Sequence, residues 1–94
     1  MDVAFRGEVV HWRGPSPYHF VVVPGPASAE IDEVAPALSY GWGAVPVTAR
    51  LGATTWRTSL FPKDGRYLVP VKAAVRRAEA VELGDVVDLV LQLG

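Results

Sequence analysis

The stretch TTWRTSLFPKDGRYLVP, residues 54–70, predicts a β-hairpin around a tight turn. Apolar and polar side chains alternate along 54–61, as they do in a strand with one buried face. The turn is PKDG, in which Gly65 can take a positive φ, and RYLVP returns as a short strand over 66–70. The alternation divides the first strand into two faces: Trp56, Thr58 and Leu60 on one, and Thr55, Arg57 and Ser59 on the other.

Four further regions have the patterns of β-strands. Residues 3–12, 44–51 and 86–93 alternate between apolar and polar side chains. Residues 18–23, YHFVVV, are a continuous β-branched and aromatic run. The turn-rich segment RGPSP, 13–17, predicts that the first two of these strands form a hairpin with a loop of medium length.

Two segments predict short helices. Ser28 is placed to cap the first, with three acids in its positive first turn, and Pro36 is expected to kink it or end it early. The second follows Pro70, and its apolar residues at i, i+3, i+4 and i+7 predict one buried stripe. The acids are Glu30, Asp32 and Glu33, and the stripe consists of Val71, Ala74, Val75 and Ala78.

These elements, about six strands with two short helices, indicate a mainly β fold. A small sheet in a chain whose residues are 50% hydrophobic hides its edges most readily by curling on itself. We therefore predict a single small closed or nearly closed β-barrel over residues 1–94, forming one domain. The sequence shows no convincing internal repeat.

Composition excludes several classes of protein and site. The chain has no cysteine, which excludes disulfides, thiolate catalysis and thiolate metal ligands. No apolar run reaches the roughly 18 residues of a membrane helix, and the initial MDVAFRGEVV has charges where a signal peptide is apolar. We therefore expect a cytoplasmic protein. Because the net charge is only −1, an anionic partner would have to bind at a local patch.

Charge is segregated along the chain. Residues 50–77 contain seven cations and one acid, whereas the rest of the chain contains two cations and nine acids. Within this stretch we predict an anion site in which Arg57, Lys72 and Arg76 converge on a phosphate or carboxylate. Ser59 shares the outward face of its strand with Arg57. The site would therefore occupy the strand, turn and helix between 57 and 77.

The spacing of two of these cations supports that site. Lys72 and Arg76 are like charges at i and i+4 of the second helix, a repulsion that a bound anion would offset. In the alternative interpretation the cations only balance charge, with Arg76 paired to Glu79 and Arg77 favoured at the helix C-terminus.

Two tryptophans are further candidates for ligand contact. Trp42 lies between two glycines in the connector YGWG, where it could cover a pocket or stack on a ligand. Trp56 lies beside Arg57, and the alternative for it is simple filling of the core.

Metal binding and catalysis have weaker signals. His11 and His19 fall roughly opposite each other in the first predicted hairpin, but no third ligand accompanies them, so we assign no metal. No histidine with a paired acid stands at a recognisable spacing from a nucleophile such as Ser59, and no glycine-rich loop leads from a strand into a helix. We therefore assign no catalytic residue and no cofactor.

Five sequence landmarks occur in a distinctive order. They are Phe5-x-Gly7, FVVVP (20–24), GAVPV (43–47), W-x-TSLFP (56–62) and YLVPVKAAVRRAEAVELGDVVDLVL (67–91). Together they resemble a small prokaryotic family known only as a domain of unknown function, DUF1905, over nearly the whole chain. The resemblance implies a small barrel similar to the double-split β-barrel of AbrB-like and MazE-like regulators and antitoxins.

The closing LGDVVDLVL, 83–91, is similar to the ending of those DNA-binding swapped-hairpin domains. Such regulators assemble one barrel from two short chains, whereas this chain is long enough to close a barrel by itself. The family carries no agreed activity, so the resemblance implies a fold and little chemistry.

Three functional hypotheses follow. The first is a non-enzymatic binding module that takes an anionic small molecule or an acidic protein partner at the basic strand, turn and helix. The second is a nucleic-acid-binding AbrB-like barrel that uses the same cations. The third is a small enzyme at the barrel mouth, near Trp42, Trp56, Ser59 and Arg57. We expect a monomer or a homodimer away from the membrane, and the sequence leaves the ligand open.

Overall fold

The structure is a computed structural model that describes residues 1–12, 18–41 and 43–94. The described residues form six strands and two helices. In chain order they are β1 (Asp2–Trp12), β2 (Tyr18–Val23), α1 (Gly25–Leu38), β3 (Val45–Leu51), β4 (Thr54–Lys63), β5 (Arg66–Pro70), α2 (Ala73–Glu79) and β6 (Val86–Leu93). The predicted loop 13–17 and the candidate Trp42 lie outside the described residues.

The strands close into a barrel in the order β1-β2-β5-β4-β3-β6, with every neighbouring pair antiparallel. The predicted mainly β fold with a closed barrel and two helices is therefore confirmed. Every strand has two pairing neighbours around the ring, although β1 and β4 pair with one neighbour along one part of their length and with the other along the rest. No helix in the described ranges has the length and apolarity needed to cross a membrane.

The barrel consists of two four-stranded sheets that share two long strands. Residues 2–8 of β1 pair with β6, whereas 9–12 pair with β2. In the same way 54–60 of β4 pair with β3, and 61–63 pair with β5. We call the sheet of β1, β6, β3 and β4 sheet A, and the sheet of β1, β2, β5 and β4 sheet B.

Gly7 lies where β1 passes from sheet A to sheet B. A Cβ atom at this position would collide with the Val22 carbonyl oxygen and lie 2.8 Å from Cγ1 of Val21. The glycine of the Phe5-x-Gly7 landmark is therefore required by the close approach of β2 rather than by an unusual φ.

The interior is filled by the inward side chains that the alternation predicts. Leu89, Leu91 and Leu93 of β6 are fully buried, and Trp56 and Leu60 of β4 join the same cluster. The connection from β2 to β3 carries α1 across one end of the barrel, where it buries Ala27 and Ile31 in that cluster. The connection from β5 to β6 carries α2 across the other end, where it buries Val75.

The first helix begins earlier than predicted. Pro24 takes the N-cap position, so the helix starts at Gly25, and the Ser28 hydroxyl instead donates a hydrogen bond to the Val23 carbonyl, at 3.0 Å. The three acids consequently lie beyond the first turn. The reason is that a Pro in the first helical turn lacks only an N–H that would be unpaired there in any case.

Pro36 neither ends α1 at once nor stops it from reaching Leu38. A proline removes the hydrogen bond that its own N–H would make to the carbonyl four residues earlier, whereas the bond from the Ser39 N–H to the Ala35 carbonyl, at 2.7 Å, is still made at the end of the helix.

The buried stripe of α2 is narrower than predicted. Val71, just before the helix, and Val75 are buried, but Ala74 and Ala78 are exposed. A helix of only seven residues that lies across a barrel end contacts the core with few side chains, and here Val71 and Val75 make these contacts.

The topology contains a repeat that the sequence does not display. Each half of the chain runs strand, strand, helix, strand: β1-β2-α1-β3 and then β4-β5-α2-β6. Exchanging the corresponding strands of the two halves leaves the order around the barrel unchanged. Gly43 and Gly84, with φ of 89° and 86°, precede the third strand of each half.

Candidate functional site

The cations of residues 50–77 are divided between two sides of the barrel. Arg57 is exposed on the outer side of sheet A, opposite Thr48 of β3, where it lines a shallow groove with Leu38 and Gln92. Lys72 and Arg76 lie at α2, which follows β5 of sheet B. The structure therefore gives Arg57 different neighbours from the other two predicted anion ligands.

Arg76 is held at the end of the barrel that α2 covers. Its Nε donates a hydrogen bond to the Val71 carbonyl at 3.3 Å, and the Val71 N–H bonds in turn to the His19 carbonyl at 2.9 Å. These bonds fix the guanidinium near β2. The predicted partner Glu79 accepts a hydrogen bond from the Thr54 hydroxyl instead, at 2.6 Å.

Ion pairing does not neutralise these cations within the described ranges. The salt bridge found there joins Arg6 and Asp88 across sheet A, with Nε and Oδ1 3.1 Å apart. The alternative interpretation, in which Arg76 pairs with Glu79, therefore finds no contact in the structure, and the positive charge beside β5 remains available to an external anion.

The two histidines face each other as predicted. His11 and His19 are direct cross-strand partners in β1 and β2, and their rings meet edge to face with centroids 5.2 Å apart. The pKa of His19 is lowered by burial of the ring and, secondarily, by the positive charges of Arg76 and His11. The described residues contain no group of three side chains able to hold a metal ion. An arginine beside the pair favours an anion over a metal.

The outer side of sheet B is largely apolar, although such faces usually meet water. Trp12, Tyr18 and Phe61 are 41%, 56% and 47% exposed there. Between them Phe20 and Leu68 are each only 8% exposed, although neither belongs to the interior cluster. The register places Val10 beside Phe20 and Pro70, and Val22 beside Leu68, which pairs with Phe61. We call this surface the aromatic face: Val10, Trp12, Tyr18, Phe20, Val22, Phe61, Lys63, Arg66, Leu68 and Pro70.

Cations lie at both ends of the aromatic face. Lys63 places its ammonium 3.5 Å from the centroid of the Trp12 ring, a cation–π contact across the outside of the sheet. Arg66 is its cross-strand partner at the β4–β5 turn. At the opposite end the bond from Val71 to His19 continues the pairing of β5 with β2, so the register brings Lys72 beside Tyr18.

The remaining predicted site residues have structural partners. Trp56 is buried in the core, 6% exposed, and its Nε1 donates to the Pro70 carbonyl at 3.1 Å. Ser59 lies on the outer side of sheet A, and its hydroxyl oxygen lies 2.6 Å from that of Tyr40. Ser59 therefore contacts another hydroxyl rather than an imidazole or carboxylate that could activate it.

One buried polar contact belongs to the scaffold rather than to the site. The Tyr67 hydroxyl, on the inner side of β5, donates to Asp32 of α1 at 2.7 Å. Burial, followed by this hydrogen bond and the nearby carboxylate, raises the pKa of Tyr67 to about 12. The bond ties α1 to sheet B and leaves the outer aromatic face untouched.

The sequence analysis did not bring Trp12, Tyr18, Phe61, Lys63 and Arg66 together as one surface. One signal could have found part of it. Residues 18–23 are apolar on both faces, although a strand on a barrel surface needs only one apolar face. An apolar outward face indicates that another part of the chain or a binding partner covers it.

The comparison with known proteins supports one classification. None of the curated proteins matches the chain significantly. The family described as domain of unknown function (DUF1905) matches residues 5–91, which is nearly the full length of the barrel. The chain therefore belongs to the DUF1905 family.

Proposed function

We propose that the protein is a non-enzymatic binding module that takes an anionic partner where the aromatic face meets α2. The observation that carries the proposal is the placement of Lys72 beside exposed Tyr18 and of Arg76 near the neighbouring His19, with no ion pair to either cation among the described residues. Arginine and lysine without a carboxylate partner are the usual ligands of phosphates and carboxylates.

The architecture supports binding on the outside of the barrel. The interior is filled with side chains, and α1 and α2 cover the two ends. Each strand already has two pairing neighbours around the ring, which disfavours the addition of a further strand. Side chains on the outer surface are then the groups available to a partner.

Within this proposal Lys72 and Arg76 contact the anion, and the two cations of the aromatic face, Lys63 and Arg66, extend the positive surface. Arg57 and Ser59 lie on the outer side of sheet A, apart from this site. Arg57 is therefore a matched control, because it is an exposed arginine on the same barrel with the same charge.

Calorimetric titration with inorganic tripolyphosphate tests the proposal. We expect the double variant Lys72→Gln/Arg76→Gln to bind at least about tenfold more weakly than the parent, as befits the loss of charged hydrogen bonds. Arg57→Gln should bind like the parent. Equal weakening by Arg57→Gln, or no binding by the parent protein, would contradict the proposal.

We also propose that the barrel is of the AbrB-like double-split type. The proposal is supported by the equivalence of the two halves of the chain, whose strands can be exchanged without changing the order around the ring. In the two-chain regulators each short chain would supply one such half. An experimental structure superposed on a two-chain regulator of that type should show the same order of strands around the ring. A different order would refute the assignment.

A further inference from the structure

We propose that the anionic partner is a single-stranded nucleic acid whose bases stack on the aromatic face, on Trp12, Tyr18 and Phe61. This inference rests on the proposed function, because the phosphates would use the cations named there. Single strands are commonly bound by exposed aromatic rings on a sheet together with a positive path for the backbone.

The rings are spread across one antiparallel sheet of four strands. Trp12 and Tyr18 are direct partners in β1 and β2, and Phe61 lies two strands from Tyr18, in β4. Phe20 and Leu68 form a buried apolar floor between them. Successive bases of a flexible strand can therefore reach rings at both margins of the face.

At least one ring presents its π face outward. The Lys63 ammonium lies 3.5 Å from the centroid of Trp12, so this face of the indole is open to a charged group rather than pressed onto the sheet. A base can take the same position while Lys63 turns toward a phosphate. The cation–π contact would be exchanged for a base stack and an ion pair.

The charges near the face suit a polyanion. Residues 61–79, which provide β5, the β4–β5 turn and α2, contain five cations and two acids, Asp64 and Glu79. Glu8 borders the face from β1, where it lines a groove with Arg66 and Val22. The cations thus outnumber the acids beside the rings, even though the whole chain has a net charge of −1.

A single strand fits these features better than a duplex or a protein. In a duplex the faces of the bases are stacked on each other, so exposed rings would have nothing to contact. Every strand of the ring already has two pairing neighbours, which disfavours the addition of a protein strand. Free bases can use both the exposed rings and the adjacent cations.

The experiment compares three nucleic-acid probes of equal length, whose bases are unpaired, absent or paired in a duplex. Fluorescence anisotropy would be recorded with labelled short oligothymidylate, with an abasic strand of equal length and with a duplex of equal length. We expect the oligothymidylate to bind about tenfold more tightly than the abasic strand. A plot of the logarithm of its association constant against the logarithm of salt concentration should have a slope of about −0.7 per phosphate contacted.

Variants locate the interaction. Tyr18→Ala and Phe61→Ala should each weaken oligothymidylate binding by about tenfold and leave abasic binding nearly unchanged. Tyr40→Ala is the matched control, because Tyr40 is equally exposed but contacts Ser59 on sheet A. Circular dichroism of each variant confirms that the barrel remains folded, and retention of binding by Tyr18→Ala and Phe61→Ala together would overturn the inference.

The outcomes separate this inference from the proposed function. Equal binding of the abasic strand and the oligothymidylate would overturn base stacking but leave an anion site at Lys72 and Arg76. Tighter binding of the duplex would also overturn the inference. If a glutamate-rich peptide bound through Lys72 and Arg76 while the oligothymidylate did not, the partner would be an acidic protein. Failure of every anionic probe would overturn both proposals.

Discussion

On the outer side of sheet A the side chains are mostly polar or charged, whereas on the outer side of sheet B they are mostly apolar. Arg6 and Asp88 form an ion pair on sheet A with side chains 70% and 77% exposed, and Arg50 and Arg57 also face solvent there. Sheet B instead presents the aromatic face. Since both sheets supply the same interior, the difference does not arise from what the barrel needs to fold.

The comparison teaches where to look for function on a small closed barrel. A polar outer face contributes little to stability, because water screens an exposed ion pair such as Arg6–Asp88. An apolar outer face costs solubility unless a partner covers it. The aromatic face is therefore the surface for which a binding role supplies a physical reason.

The largest expected effect tests whether stability comes from the interior rather than from either outer face. Leu89→Ala should lower the free energy of unfolding by about 2–5 kcal/mol, because Leu89 is fully buried in β6 and its truncation leaves a cavity. Its neighbour Asp88 points outward, so Asp88→Ala should cost less than about 1 kcal/mol. Urea denaturation measures both values, and similar costs would show that β6 is out of register.

The next effect tests the junction between the two sheets. Gly7→Ala should lower the free energy of unfolding by about 1–3 kcal/mol, because the new methyl group would meet the Val22 carbonyl oxygen, which the backbone of β2 holds in place. Gly25→Ala is the control, since no atom lies within 4 Å of a Cβ placed there. A neutral Gly7→Ala in thermal denaturation would mean that β1 is not bent tightly against β2.

The smallest effect sharpens the contrast between the outer faces. Lys63→Gln should lower the free energy of unfolding by about 0.5–1 kcal/mol through loss of the cation–π contact with Trp12, and should change the tryptophan fluorescence. Arg57→Gln on sheet A should change neither quantity, since no hydrogen bond or ion pair of its side chain is found within the described residues. Equal effects of the two substitutions would remove the distinction between the faces.

The two helices show which of their features depend on local sequence and which depend on their position in the barrel. The prediction that Ser28 caps α1 was wrong because Pro24 and Pro26 make the helix begin upstream of it. The Ser28 hydroxyl instead donates a hydrogen bond to the Val23 carbonyl. The prediction of a wide stripe on α2 was wrong because a short helix across a barrel end needs only Val71 and Val75. Both errors concern how much of a helix the barrel covers, which a local pattern does not specify.

The candidate site was predictable only in part. The sequence singled out Lys72 and Arg76 because their charges were expected to lie one turn apart on one helix, whereas in the structure Lys72 is the extended N-cap of α2 and only Arg76 lies within it. It grouped Arg57 with them because Arg57 precedes them in the chain, whereas β4 and its neighbour β3 place it on sheet A. For Trp56 it left open ligand contact and core filling, and the side chain lies in the core.

By itself the sequence determined the strands and, where apolar and polar residues alternate, their inward faces, because a period of two fixes which side chains point inward. The closed barrel followed from the need of a small apolar sheet to hide its edges. Only the tertiary structure decided which outward side chains share a surface. Trp12 and Lys63 meet across the outside of sheet B, although β2 and β5 lie between their strands in the ring. That order depends on long-range pairing between strands, for which no single strand carries a local signal.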